Sequence, residues 1–135
     1  MEDQLFYVGQ KALINRRGGI LVLKDPFIGL DLPGGKIQEG EEDLNKSLIR
    51  EVKEETGLEI TVGGPFSRLS FNLRSSHKNA GKKVYLVVFE CRYLSGSVKL
   101  SNDHSEFYWL NKNNFNKVED NSDIYSCLRK YFKDG

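Results

Sequence analysis

Apolar residues along this chain fall into short blocks with two different periods. Residues 5–14 and 20–24 are rich in β-branched and aromatic side chains, and Ile20-Leu21-Val22-Leu23 is an unbroken apolar run. Such blocks predict strands, and Asn15-Arg16-Arg17-Gly18-Gly19 between them supplies residues that tolerate positive φ in a hairpin loop. The same pattern predicts strands at residues 58–62, 66–73, 83–93, 97–100 and 107–110, with Gly63-Gly64-Pro65 and Gly96 as breaks. The polar stretch 75–81 reads as a loop. Two segments switch to the helical period: residues 43–56, opened by the N-cap candidate Asp43 and closed by Gly57, and residues 122–133. In the second, Ile124, Cys127, Leu128, Tyr131 and Phe132 recur at three- and four-residue intervals, the stripe of a helix packed on a core. Many strands with few helices predict an α+β fold.

The first helix breaks its own amphipathic pattern. On a wheel with about 100° per residue, Leu44, Leu48, Ile49 and Val52 form the apolar arc, yet Glu55 falls inside it and Glu51 on its margin. Glu54 lies further round, beside Arg50 at i−4. A like-charge pair at i, i+4 costs about 0.2–0.5 kcal/mol in an isolated helix and more when water is removed. Arg50 can compensate Glu54 but is poorly placed for Glu55, so the helix by itself reads either as a Glu-rich solvated face or as one that holds a cation between its carboxylates. A hard ion such as Mg²⁺ takes oxygen ligands and completes its shell with waters and phosphates. Just upstream, Leu32-Pro33-Gly34-Gly35-Lys36 forms a turn whose glycines leave backbone groups open to close approach by a metal or a phosphate.

Charge sharpens that picture. Twenty basic and nineteen acidic residues leave a net charge of +1, which disfavours a protein built mainly to coat nucleic acid or an anionic membrane. The segment from Glu39 to Glu59 nevertheless holds eight carboxylates against three cations, while Phe66 to Lys83 holds Arg68, Arg74, Lys78, Lys82 and Lys83 and no acid. At 135 residues the chain has the length of one ordinary domain. Its apolar runs are far shorter than the ~20 residues that span a bilayer. Polar residues interrupt the stretch after Met1, so a cytoplasmic protein is expected. Cys91 and Cys127 read as buried free thiols. His77 and His104 show no zinc spacing and read as structural or solvated side chains.

Read together, Gly35-Lys36-Ile37-Gln38-Glu39-Gly40-Glu41 and Arg50-Glu51-Val52-Lys53-Glu54-Glu55-Thr56-Gly57-Leu58 resemble the signature of the Nudix hydrolases, the MutT-like phosphohydrolases. That signature is G-x5-E-x7-R-E-U-x-E-E-x-G-U, with U aliphatic. The second half alone would arise by chance on the order of 10⁻⁷ times per starting position at average residue frequencies. One departure exists: eight residues, not seven, separate Glu41 from Arg50, so either Glu41 or Glu42 fills the first acidic position. The extra residue lies where the loop enters the helix.

The resemblance implies one Nudix domain over residues 1–135, with the motif at about 35–58. Its fold would be a mixed β-sheet sandwiched between α-helices, with the motif as a loop-helix-loop. It implies that Glu51, Glu54 and Glu55 bind Mg²⁺, or Mn²⁺, aided by the Gly35 carbonyl, while Arg50 orients the carboxylates and Glu41 or Glu42 stands behind them. Asp103-His104-Ser105-Glu106 looks like the late acidic loop of many members, which makes Asp103 a candidate ligand and Glu106 a candidate catalytic acid. Candidates for the base that activates water are Glu51, Glu54, Asp103 and Glu106. For the substrate, Lys24, Lys36, Arg74 and the basic loop are expected at phosphates. Phe27 is a stacking candidate, with Tyr7, Phe71, Asn113 and Asn121 as weaker ones.

The activity so implied is hydrolysis of a nucleoside diphosphate linked to another moiety, with a small nucleotide as the only partner. No proline follows Gly57 by about fifteen residues, as in ADP-ribose enzymes, and no tyrosine stands at 73–76, as in enzymes of dinucleoside polyphosphates. A nucleoside triphosphate, cleaved to monophosphate and pyrophosphate, is therefore the first expectation, with ADP-ribose or a nucleotide sugar as the alternative. A nucleotide-sensing module without turnover is the reading from another class, and removal of pyrophosphate from RNA 5′ ends lacks a basic track. Oligomeric state stays open.

Overall fold

The computed structural model describes residues 1–27, 29–73 and 81–134. The loop residues Arg74, His77 and Lys78 lie outside them. Seven strands form one mixed sheet: β1 (Phe6–Arg16), β2 (Gly19–Asp25), β3 (Gly29–Asp31), β4 (Gly34–Lys36), β5 (Glu59–Asn72), β6 (Lys83–Ser95) and β7 (Glu106–Leu110). The order is β3-β2-β1-β6-β5, with β4 paired to β1 and β7 to β2. Among the described residues only β1 and β6 run parallel, from Phe6 opposite Lys83 to Asn15 opposite Arg92. Two α-helices complete the fold, α1 (Leu44–Thr56) and α2 (Asp123–Arg129), the latter continued by a π-helical turn at Lys130–Asp134.

Strand periodicity assigns the helices to opposite faces. Along β2, Ile20 and Val22 point into the cluster beneath α2, with Leu13, Val88, Phe115 and Leu128. Leu21 and Leu23 point into the cluster beneath α1, with Ala12, Ile14, Leu48, Val52 and Leu58. A strand buried on both faces must be apolar at every position, which is why Ile20–Leu23 shows no alternation. The expected sandwich is thus present. Among the described residues no helix is long and apolar enough to cross a membrane.

Two local expectations are corrected, and two short strands are added to those expected. Gly63-Gly64-Pro65 does not break the strand: β5 runs through it, with register shifts on both sides of Pro65. A bulge absorbs a residue that has no N–H to give the ladder. The short β3 and β4, three residues each, were too brief to show a period. Residues 97–100 are not a strand: the chain here, through Lys99 and the following Ser101, turns its amides to the end of α1. Lys99 N–H donates to the Thr56 carbonyl at 2.8 Å and Ser101 N–H to the Glu55 carbonyl at 3.0 Å. These bonds satisfy carbonyls that the end of α1 leaves open, and they bind the segment leading to residues 101–106 onto α1.

Cys91 and Cys127 are free and buried, as expected. Burial pushes the Cys91 thiol up to about 12 and the Cys127 thiol up to about 11. Since the thiolate is the reactive form, neither will react with a disulfide reagent at about pH 8 in the folded protein, and both will react at once in urea. Rapid labelling of the native protein would show that the clusters open.

Candidate metal and phosphate site

The site is assembled where β4 and α1 meet. Asp43 caps α1 by accepting from Lys46 N–H at 3.1 Å, and Gly57 ends it with its N–H on the Lys53 carbonyl at 2.9 Å. With Leu48 and Val52 locked in the core, the 3.6-residue period turns Glu51 and Glu55 inward against Gly34-Gly35. Their side chains keep only 18% and 17% of their exposure. Glu55 Oε1 accepts from Gly34 N–H at 2.7 Å. A Cβ on Gly35 would overlap the Glu51 carboxylate, so glycine is what lets that carboxylate lie on the turn.

Two carboxylates in this position resist ionisation. Burial, then the neighbouring charge of Glu55, pushes Glu51 up to about 7. Burial also raises Glu55, against the opposing pull of the Gly34 amide and Lys11.

Around this pair, Arg50 forms an outer brace. Its guanidinium reaches Glu41 at 2.8 Å, Glu54 at 3.0 Å and Glu51 at 4.0 Å. Glu41, not Glu42, is therefore the loop acid that meets Arg50, and the inserted residue leaves α1 in phase. Hydrogen bonds from the Ser47 hydroxyl, the Gln38 amide and Arg50 hold the Glu41 carboxyl down, to about 2. Glu54 is 61% exposed, unlike the half-buried pair.

Three residues on the other side of the pair were missed as site residues in the sequence reading. Lys11 Nζ lies 3.1 Å from Asp31 Oδ1, and His104 Nε2 lies 3.0 Å from Asp31 Oδ2. His104 Nδ1 stands 3.9 Å from Glu55 Oε2. The hydrogen bond to Asp31 leads the causes that raise the His104 pKa, while Asp31 stays low because His104 and Lys11 together outweigh its burial. Of the two placements expected for His104, the structural one holds: the ring is buried and tied to Asp31. Its place within Asp103–Glu106 was the available signal for its nearness to Glu55.

The remaining candidates make their own contacts outside the half-buried pair. Asp103 is exposed, and Glu106 is exposed on β7 beside Lys24 of β2, accepting from the Tyr108 hydroxyl. Among the described residues, no hydrogen bond or ion pair joins either acid to α1. Lys36 lies 5.4 Å over the Tyr7 ring at the start of β1. Phe27 is 80% exposed after β2, its N–H donating to Asp25 Oδ1 at 2.7 Å.

The donors present fit a hard divalent cation. They are oxygens, two of them carboxylates that raise each other's cost of ionisation, on a turn whose glycine leaves room for the Glu51 carboxylate. A second group of candidate donors, Asp25, Asp31 and His104, has ligand atoms within 4.8 Å of one another.

Comparison with known proteins agrees with this geometry. The NUDIX domain model matches residues 8–131. The ADP-ribose pyrophosphatase of Methanocaldococcus jannaschii is 30% identical over 115 residues, covering 82% of this chain and 65% of its own length. The chain thus spans just under two thirds of that relative. The MutT protein from Methanosarcina mazei is 30% identical, with a TM-score of 0.74 over 99% of this chain and 95% of that one. The dihydroneopterin triphosphate pyrophosphohydrolase of Escherichia coli shares the fold at 15% identity, with a TM-score of 0.73 over 98% of this chain and 100% of its own. A match over nearly the whole chain, on the residues that build the turn, the helix and the sheet, places this protein in the NUDIX domain family.

Proposed function

We propose that the chain acts as one domain over residues 1–135 that hydrolyses a phosphoanhydride bond in a nucleoside diphosphate linked to another moiety. The proposed first substrate is a nucleoside triphosphate, cleaved to monophosphate and pyrophosphate. The observation that supports this reading is the half-buried Glu51–Glu55 pair on the Gly34-Gly35 turn, two carboxylates held where burial disfavours their charge. Glu51, Glu55 and the Gly35 carbonyl would hold a Mg²⁺ or Mn²⁺ ion, with Glu54 at the solvent side. Such an ion, when bound, neutralises phosphate charge and lowers the pKa of water.

The protein's own groups do the rest. Arg50, tied to Glu41 and Glu54, fixes the outer face of α1. Glu54, exposed and held in place, is the carboxylate we assign to accept the proton of the attacking water. Lys36, beside Tyr7, is assigned to a phosphate of the substrate. Lys36→Ala should raise KM about tenfold and change kcat by less than about twofold, since it removes one charge-assisted contact made equally in ground and transition states. Steady-state kinetics check this, and an unchanged KM removes Lys36 from the substrate.

ADP-ribose is the second reading, favoured by the archaeal relative at 30% identity. One experiment separates the readings: release of phosphate or pyrophosphate with Mg²⁺ from nucleoside triphosphates, ADP-ribose and nucleotide sugars, with Glu54→Gln as control. Turnover of one class that is lost in the control supports the hydrolase and names its substrate. Nucleotide binding without turnover of any of them makes the protein a sensing module.

A further inference from the structure

His104 holds the one ring nitrogen among the described residues that is buried without a partner. The residue is 7% exposed, and Nδ1 has no hydrogen bond. Burying an imidazole nitrogen unpaired is unfavourable, so its position needs a cause. The ring is not there by accident of packing. Its Nε2 is fixed by Asp31 at 3.0 Å, and Asp31 is fixed in turn by Lys11 at 3.1 Å and by Leu32 N–H at 2.8 Å. The segment leading to His104 is fastened to the end of α1 through Lys99 and Ser101. All of these restraints aim Nδ1 at Glu55 Oε2, 3.9 Å away. The other oxygen of Glu55 is already held by Gly34 N–H at 2.7 Å.

We propose that His104 is a positioning residue for Glu55: set between two carboxylates with a proton on each ring nitrogen, it gives Nε2–H to Asp31 and, when a divalent cation is bound, Nδ1–H to Glu55 Oε2, and so fixes the carboxylate that Gly34 holds from the other side. The inference rests on the hydrolase reading, because it needs Glu55 to face a metal. Glu55 moves by about the difference between 3.9 Å and an ordinary hydrogen bond. Outer partners of this kind typically change metal affinity 10–100-fold.

Two isosteric halves of histidine test the role. Asparagine carries an amide nitrogen as many bonds from Cα as Nδ1, and glutamine one as many bonds as Nε2. Mn²⁺ and Mg²⁺ affinities are measured by calorimetry on the full chain, with urea midpoints as the folding check and the Mg²⁺ dependence of turnover as a second readout. His104→Gln, which keeps the Asp31 contact, should weaken Mn²⁺ roughly 10–100-fold. His104→Asn should recover to within a few-fold of the parent. Full affinity in the Gln variant with loss in the Asn variant overturns the proposal and leaves His104 as a support for Asp31. Loss of a whole equivalent of ion in both makes His104 a ligand, through the group it forms with Asp25 and Asp31, and also overturns it. A parent protein that binds neither ion overturns the hydrolase reading itself, and a parent that binds ion while both variants match it overturns only the positioning role.

Discussion

Glu51→Gln protein will turn over nucleotide on the order of 10³-fold more slowly than the parent, and without metal it will melt at a higher temperature. The opposite signs follow from one fact: Glu51 lies half-buried beside Glu55, and burial and that neighbour hold its pKa up at about 7. In the unfolded chain a glutamate ionises near pH ~4.3. Between these values the folded state holds a proton that the unfolded state has lost, so folding stability falls as pH rises through that window. Above about pH 7 the penalty is complete, and below about pH 4 it vanishes. Glutamine has nearly the same shape and no charge to desolvate. Its advantage in metal-free protein should grow from near zero at about pH 4 to roughly 1–2 kcal/mol at pH 8, less than the full shift because part of the carboxylate faces water. That corresponds to about 3–8 °C in the melting temperature.

Metal reverses the comparison. The parent should gain stability from Mg²⁺ or Mn²⁺, more at pH 8 than at pH 6 because no proton then has to leave Glu51. The Gln variant should gain far less at either pH. Melting curves in EDTA and in excess Mn²⁺ at the two pH values read both effects. A variant that melts lower than the parent at pH 8 in EDTA would mean that the ionised carboxylate is paid for within the protein, and the case for a cation there would fail.

How much of this was readable in the sequence depends on the range of the interaction. The inward turn of Glu51 and Glu55 was legible because helical phase relates them to Leu48 and Val52 a few residues away. Arg50 with Glu54 is likewise an i, i+4 pair. The choice between Glu41 and Glu42 was not, since it depends on how the loop after Gly40 closes onto Arg50. Lys11, Asp31 and His104 come from β1, β3 and the loop before β7, and only the sheet order brings them together. The failed strand at 97–100 is the same lesson on a smaller scale. Its sequence has strand propensity, but its amides have a better use in closing the end of α1.

Adjacent alanine substitutions in the turn should separate fold from chemistry. A Cβ on Gly34, where φ is +135°, would overlap the Gln10 carbonyl oxygen and lie 2.9 Å from Lys11 Cα. Both obstacles are backbone. To admit it, β4 must leave β1, with loss of the register Gly9–Lys36, Gln10–Gly35 and Lys11–Gly34. Gly34→Ala should therefore cost about 3 kcal/mol or more, lowering the melting temperature by about 10 °C or beyond. At Gly35 the near atoms all belong to the end of the Glu51 side chain. Gly35→Ala can be accommodated by rotating that carboxylate, so the melting temperature should stay within about 3 °C of the parent. Activity should nevertheless fall about 10²-fold or more, because a ~1 Å displacement of a reacting group costs that much. Circular dichroism melts and turnover on the two variants give the comparison. If Gly35→Ala keeps full activity, Glu51 does not work from the turn on which it rests, and the site must be built around Glu54 and Glu55 instead.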